Sequence, residues 1–260
     1  MSRNTRPIIV GGCHRSTMKD CMVKILNSLS RWLETPQQGA STVPAVGKIR
    51  FGDMRRLQPF GADYGFGRGG AIDRYYAESF LQANAEAIRG YALEIQDDKY
   101  LRQFGGERVS RRDILDIDPG NTRATVIADL AKADHVPANT YDCIVLAQTL
   151  QFIYDLRSVM KHVHRILKPG GTLLLTVPGI TRINYRAHGS SWYWSFTEAA
   201  VKNLLKEVFL ENNMHIEVHG NVLVAASFLY GVGAGEITQE EYDYKDPDYP
   251  LVITAKAVKV

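Results

Sequence analysis

Tyr141-Asp-Cys-Ile-Val-Leu-Ala-Gln-Thr-Leu150, the stretch that follows it, and Arg165-Ile-Leu-Lys-Pro-Gly-Gly-Thr-Leu-Leu-Leu-Thr-Val-Pro178 together read as strand, crossover helix, strand. Cys143 to Ala147 and Leu173 to Val177 are short apolar runs without polar alternation, as central parallel strands buried on both faces require. Between them Leu156, Val159, Met160, Val163, Ile166 and Leu167 recur at offsets of three and four, which makes one apolar helix face. Lys168-Pro169-Gly170-Gly171 supplies a helix stop: a cation at the negative end, a proline that cannot continue, and glycines free to turn left-handed. A strand, a crossover and a parallel strand imply a layered α/β sheet.

Working upstream, Gly90-Tyr-Ala-Leu-Glu-Ile95, Ile114-Leu-Asp-Ile-Asp-Pro-Gly120 and Ala124-Thr-Val-Ile-Ala-Asp-Leu130 resemble the first, second and third strands of a known α/β enzyme family, and Ala71 to Ile88 reads as a helix packed on the sheet. Downstream, Thr197 is placed to cap a helix over Glu198 to Phe209. A strand at Met214 to Val218, an apolar helix at Val222 to Tyr230 and a closing strand at Leu251 to Val258 follow. Acids and tyrosines from Glu236 to Asp248 predict a solvated connection to that last strand.

In this order the segments resemble the class I S-adenosylmethionine-dependent methyltransferases, with Asp142 opening the fourth strand. Tyr64-Gly-Phe-Gly-Arg-Gly-Gly-Ala-Ile-Asp-Arg-Tyr-Tyr76 is similar to the lead-in of a bacterial subgroup often found beside or fused to glycosyltransferases. The resemblance covers roughly residues 49 to 260. It implies an α/β, Rossmann-like, doubly wound fold: a seven-stranded, mostly parallel sheet with helices on both faces. Residues 1–48 are expected to form an N-terminal strand–helix extension and linker, and residues 49–260 the methyltransferase-like domain.

The same resemblance implies a cofactor, S-adenosyl-L-methionine, and places its ligands. Glu94 ends the first strand near the cofactor's amino acid portion. Asp118, with Asp116 as the alternative, is expected to accept the ribose hydroxyls, since a carboxylate offers lone pairs to a diol. Asp129 is expected beside the adenine amino group, and Gln148 and Thr149 along the methionine portion. Gln96 departs from the pattern, because the subgroup carries glycine there. If the position needs a positive φ, glutamine costs about 1 kcal/mol and its Cβ crowds the cofactor. Asp97 and Asp98 are expected to cap the helix that follows, whether or not a ligand binds. Arg68, Asp73 and Arg74 in the lead-in are expected either to close over the cofactor or to form structural ion pairs.

Methyl transfer needs a nucleophile held in line with the methyl group, and an alcohol needs a base as well. Arg182-Ile-Asn-Tyr-Arg-Ala-His-Gly-Ser-Ser-Trp-Tyr-Trp-Ser-Phe196 follows the fifth strand and mixes aromatic, basic and imidazole groups. His188 is the candidate base, because its ordinary pKa lies near working pH. Trp192 and Tyr193 either wall the acceptor pocket or pack the loop. His162 and His164 stand two apart on a helix and point in different directions, so no metal pair is expected.

Composition narrows the classes. The chain has 260 residues, 45% hydrophobic and 23% charged, with a net charge of +3, as one globular α/β unit would. Its basic residues are scattered, which argues against a nucleic-acid partner. No apolar run approaches a membrane span, so a cytoplasmic protein without membrane association is expected. Cys13, Cys21 and Cys143 are odd in number and lack CxxC spacing, which points away from disulfides and zinc. Pro7-Ile-Ile-Val-Gly-Gly-Cys-His-Arg-Ser-Thr17 resembles a sulfotransferase phosphosulfate loop, with Arg15, Ser16 and Thr17 as a vestigial anion site. The expected activity is methyl transfer to a small-molecule or sugar-containing acceptor, at oxygen, in natural product biosynthesis. The alternative is a catalytically inactive methyltransferase-like binding or scaffold protein, for which Gln96 is the motive.

Overall fold

The computed structural model describes residues 43–260, so the N-terminal strand–helix and the sulfotransferase-like loop lie outside the described residues. Residues 53–260 form one compact unit. Its seven strands are β1 (Gly90–Ile95), β2 (Val109–Asp116), β3 (Val126–Ile127), β4 (Tyr141–Ala147), β5 (Leu167–Pro178), β6 (Met214–His219) and β7 (Val252–Val258). They join in one sheet of order β3-β2-β1-β4-β5-β7-β6. Pairing is parallel from β3 through β5, whereas β7 runs antiparallel to both β5 and β6. This is the Rossmann-like arrangement that the order of segments implies.

Among the described residues six α-helices accompany the sheet: α1 (Ile72–Ala83), α2 (Leu156–Ile166), α3 (Tyr185–His188), α4 (Glu198–Lys206), α5 (Val222–Tyr230) and α6 (Gln239–Asp243). α2 and α4 bury Val159, Met160, Val163, Ile166, Val201, Leu204 and Leu205 against one face. α1 and α5 cover the other, through Leu81 over β1 and β4 and through Ile72, Tyr76, Val224 and Phe228 near β7. Each fully buried Leu or Ile contributes roughly 1.5–3 kcal/mol. Asp155 starts α2 by accepting the Ser158 N–H at 3.1 Å, and Thr197 starts α4 by accepting that of Ala200 at 3.2 Å.

The helix stop falls where expected: α2 ends at Ile166, β5 begins at Leu167 and runs through Lys168 to Gly171, and Gly170 is left-handed at φ 78°. Two local expectations are corrected. β3 keeps only two residues, because Asp118 to Ala124 turns on its own side chains, and Thr125 donates to Asp113 at 2.8 Å. The 236–248 segment is not merely a solvated connection. It contains α6, opened by Thr238 and Glu241 bonding reciprocally to each other's backbone, and it buries Tyr242.

The lead-in before α1 is dovetailed into residues 230–236. Phe60 N–H donates to Tyr230 O at 2.7 Å, Ala234 N–H donates to Gly70 O at 2.9 Å, and Arg68 grips Glu236 through two bonds of 2.8 Å. Glycine is required on both sides. Gly65 takes φ 94°, and a Cβ at Gly233 would stand 1.9 Å from Arg68 O. The glycine-rich spelling of this segment therefore records close backbone approach.

Candidate functional site

Strand order reverses between β1 and β4, and ligands of open α/β sheets bind where loops part at such a point. Register sets the participants. Glu94 pairs with Val145 on β4, and Leu115 and Asp116 pair with Val126 and Ile127 on β3. The loops that follow β1, β2, β3 and β4 thus leave one edge of the sheet, carrying Gln96, Asp118, Asp129 and Gln148 respectively.

Glu94 is 3% exposed and accepts the Tyr100 and Leu101 N–H groups at 3.2 and 2.9 Å. It therefore does the capping expected of its neighbours, satisfying free donors at the head of the helical turn Leu101–Gly105. Burial pushes its carboxyl up to about 8, against the opposing pull of those two donors. Asp97 accepts only the Lys99 N–H at 3.0 Å. Asp98 does not cap. Its carboxylate is buried and bonds Arg102 at 2.5 Å and Arg123 at 2.7 Å, with Arg112 at 3.8 Å. A buried anion ringed by cations, not a cap, fixes the first loop.

Gln96 takes φ 70°, so the position does require the left-handed conformation. Its side chain is exposed rather than buried in the loop. Its backbone is latched on both sides: its N–H donates to Leu115 O, and its carbonyl accepts from Asn121 Nδ2, both at 2.9 Å. Asn121 Nδ2 also donates to Asp116 Oδ2 at 2.7 Å, while Asp116 Oδ1 accepts the Asp118 N–H at 3.0 Å. Asp116 is thus spent on holding the second loop. Asp118 stays exposed, with one oxygen on the Gly120 N–H at 2.8 Å. Asp129 is half-buried and accepts the Ala131 N–H at 2.9 Å.

Gln148 is the fourth strand's counterpart of Gln96, with φ 50°. Its N–H donates to Thr176 O at 2.9 Å, and its carbonyl accepts Gln151 Nε2 at 2.8 Å. The Nε2 of Gln148 and the Oε1 of Gln151 are buried without hydrogen-bond partners among the described residues. Uncompensated buried polar atoms cost about 1–3 kcal/mol each, and a ligand's polar groups would relieve them. A donor and an acceptor on the same sheet edge as exposed Asp118 and half-buried Asp129 fit a zwitterionic amino acid joined to a nucleoside. On that ground the residues present suit the cofactor. Thr149 donates to Ala147 O at 3.2 Å.

The segment after β5 lies on the β4 loop. His188 is exposed, its ring 4.8 Å from that of Phe152, which also meets Trp192 edge-on at 5.1 Å. Tyr193 meets Tyr154 at 5.5 Å, and its N–H donates to Gln151 O at 2.8 Å. Trp192 and Tyr193 therefore pack this loop onto residues 151–154. Two further contacts involve the lead-in, α1 and the chain after β5. Arg74 donates to the Tyr100 hydroxyl at 2.8 Å, which ties α1 to the β1 loop, and Arg182 lies over the Tyr64 ring at 4.2 Å. Arg74 is singled out in the sequence with Asp73, within the glycine-, aromatic- and arginine-dense residues 64–76, whereas Tyr64 and Arg182 are not.

A cavity of about 740 Å³ opens elsewhere, at the other end of the strands, lined by Tyr91, Arg111, Asp113, His135 and Tyr141 among others. Asp113 there accepts the hydroxyls of Tyr91, Thr125 and Tyr141, so its carboxylate is already satisfied.

Residues 63–215, more than half of the chain, match the family described as methyltransferase domain. A stretch of 47 residues is 43% identical to the ubiquinone/menaquinone biosynthesis C-methyltransferase UbiE of Haemophilus ducreyi. That match spans 17% of this chain and 18% of the relative. Among solved structures, the fold is similar to a SAM-dependent methyltransferase from Archaeoglobus fulgidus: TM-score 0.50 and 12% identity, over 72% of this chain and 94% of that one. An S-adenosylmethionine-dependent methyltransferase from Mesorhizobium loti aligns with TM-score 0.46 and 15% identity, over 73% and 99%. At such identities the structural likeness concerns the fold alone.

Proposed function

The chain belongs to the methyltransferase-domain family of class I S-adenosylmethionine-dependent enzymes, and from that premise we propose that it methylates a small-molecule or sugar-containing acceptor at oxygen. The observation that carries the reading is the pair of unpartnered amide atoms, Gln148 Nε2 and Gln151 Oε1, at the strand-order reversal, on the same sheet edge as the carboxylates that follow β2 and β3. The bound cofactor supplies an electrophilic methyl group on a sulfonium.

In this reading Gln148 and Thr149 hold the amino acid portion, with Glu94 shaping the loop beneath it through its two backbone bonds. Asp118 takes the ribose hydroxyls, because Asp116 is engaged with Asn121. Asp129 meets the adenine edge, and Gln96 borders the cofactor with its backbone. His188 removes the acceptor's proton, and Trp192 and Tyr193 close the pocket around it. Exposure of the His188 ring leaves it free to exchange that proton with water. Natural product tailoring in the cytoplasm is the setting this chemistry suits. Among the described residues no helix is long and apolar enough to cross a membrane.

Gln96 favours a second reading, a cofactor-blind binding protein. Calorimetry of the full chain with S-adenosylmethionine and S-adenosylhomocysteine separates the two. Micromolar binding of both supports the transferase, whereas a folded chain that binds neither overturns it in favour of the scaffold.

A further inference from the structure

Six buried side-chain polar atoms lack a hydrogen-bond partner among the described residues, and three of them come from one neighbourhood: Tyr64 Oη, Asp73 Oδ1 and Arg182 Nε. The three residues arrive on separate segments, the lead-in, the first turn of α1 and the chain after β5. Arg182 spends one amino group on Ala62 O and lays its guanidinium 4.2 Å from the centre of the Tyr64 ring, while its Nε is without an acceptor among the described residues. Phe228 covers the Tyr64 ring from α5, with centroids 5.8 Å apart. Burial raises both the Tyr64 phenol and the Asp73 carboxyl, while Arg182 and Arg74 respectively oppose the rise. Tyr64 stands within electrostatic reach of both Arg182 and Asp73, and Arg182 and the Asn184 N–H approach its hydroxyl without completing a well-formed bond.

Leaving one such atom dry costs about 1–3 kcal/mol, so three together need a shared partner. The partner's chemistry follows from the inventory. Asp73 Oδ1 can only accept when ionised, Arg182 Nε can only donate, and the Tyr64 hydroxyl does either. A cation would meet Arg182, and an anion would meet Asp73. With both faces of the Tyr64 ring engaged, stacking gains nothing. A neutral molecule that offers adjacent donors and acceptors satisfies all three, and neighbouring hydroxyls are the simplest such group. Position agrees, since β5 lies beside β4, whose end carries Gln148.

We infer that Tyr64, Asp73 and Arg182 form an acceptor subsite that reads vicinal hydroxyls of a neutral, polyhydroxylated molecule such as a pyranoside. The inference rests on the methyl-transfer reading and names the acceptor class for that site.

The test uses the full chain saturated with S-adenosylhomocysteine, with saturation-transfer NMR to methyl β-D-xylopyranoside, to 2-methoxytetrahydropyran, the same ring without hydroxyls, and to acetate. Saturation of the xylopyranoside alone is expected. Asp73→Asn and Tyr64→Phe should each weaken it about tenfold or more, with the melting temperature and S-adenosylhomocysteine affinity retained. Equal saturation of the hydroxyl-free ring, displacement by acetate, or indifference to both substitutions would overturn the subsite. So would silence from the xylopyranoside in a chain that binds S-adenosylhomocysteine. Failure to bind S-adenosylhomocysteine at all would instead sink the transferase reading.

Discussion

Gln96 and Gln148 are the first residues after the adjacent parallel strands β1 and β4, and both are left-handed, at φ 70° and φ 50°. The chain bends the same way on both sides of the strand-order reversal. Glutamine is a poor residue for that bend, since its Cβ crowds the backbone. What holds each in place differs. Gln96 is latched through its own backbone to Leu115 and Asn121, and Gln148 to Thr176 and Gln151.

Replacing Gln96→Gly should therefore stabilise the protein, by roughly 0.5–1 kcal/mol after glycine's larger unfolded-state entropy is set against the relieved strain. Melting temperature should rise by a few degrees, and calorimetry should show tighter S-adenosylmethionine binding. A fall in both would mean that the glutamine side chain itself makes a needed contact.

Glu94 gives a pH signature. Burial raises its carboxyl from an ordinary value near 4.5 to about 8, so between these values the folded state keeps a proton that the unfolded chain has released. This contribution is whole below about 4.5 and is lost as pH climbs through 8, a span on the order of 5 kcal/mol. Chemical denaturation at pH 5 and pH 8 should show stability falling with pH, and Glu94→Gln should flatten the slope. An unchanged slope in the variant would assign it to other groups.

Asp98 should behave as a buried hub. Asp98→Asn leaves Arg102, Arg112 and Arg123 facing one another without their common anion. A loss of about 1–3 kcal/mol in urea is expected, with partial recovery in high salt as the guanidinium repulsion is screened. A variant as stable as the parent at low salt would show that these pairs contribute nothing.

His188→Gln tests the proposed base. Turnover should fall about 100-fold or more while S-adenosylmethionine affinity stays intact. Unchanged turnover eliminates the imidazole and directs attention to the Asp73 neighbourhood.

Much of the sheet was legible in the residues. The helix α5 and the crossover from β4 to β5 stand where apolar runs and periodicity put them, because buried parallel strands tolerate few polar interruptions, and β1 stands where the family resemblance put it. The positive φ at Gln96 was legible only by contrast with a glycine expected there. Other features left no local trace. Which acid caps a turn and which is ringed by arginines depends on Arg112 and Arg123, residues distant in sequence from Asp98. The two-residue β3 follows from side-chain bonds across a turn, and α6 from a capping pair inside a stretch whose charges suggested only solvent. Composition averages over such pairings. Tyr64 and Arg182 meet across more than a hundred residues, so neither announces the other.

The interlock between the lead-in and residues 230–236 governs when a functional molecule can exist. A ribosome that has delivered residues 60–70, α1 and even the whole parallel half of the sheet has produced a chain whose first segment still lacks its seat, because Tyr230, Gly233, Ala234 and Glu236 have yet to emerge. Tyr64 and Asp73 are thus synthesised early and positioned late. Nascent chains stalled before residue 236 should carry a sheet but no competent pocket, so ligand capture is postponed until nearly all of the polypeptide has been made.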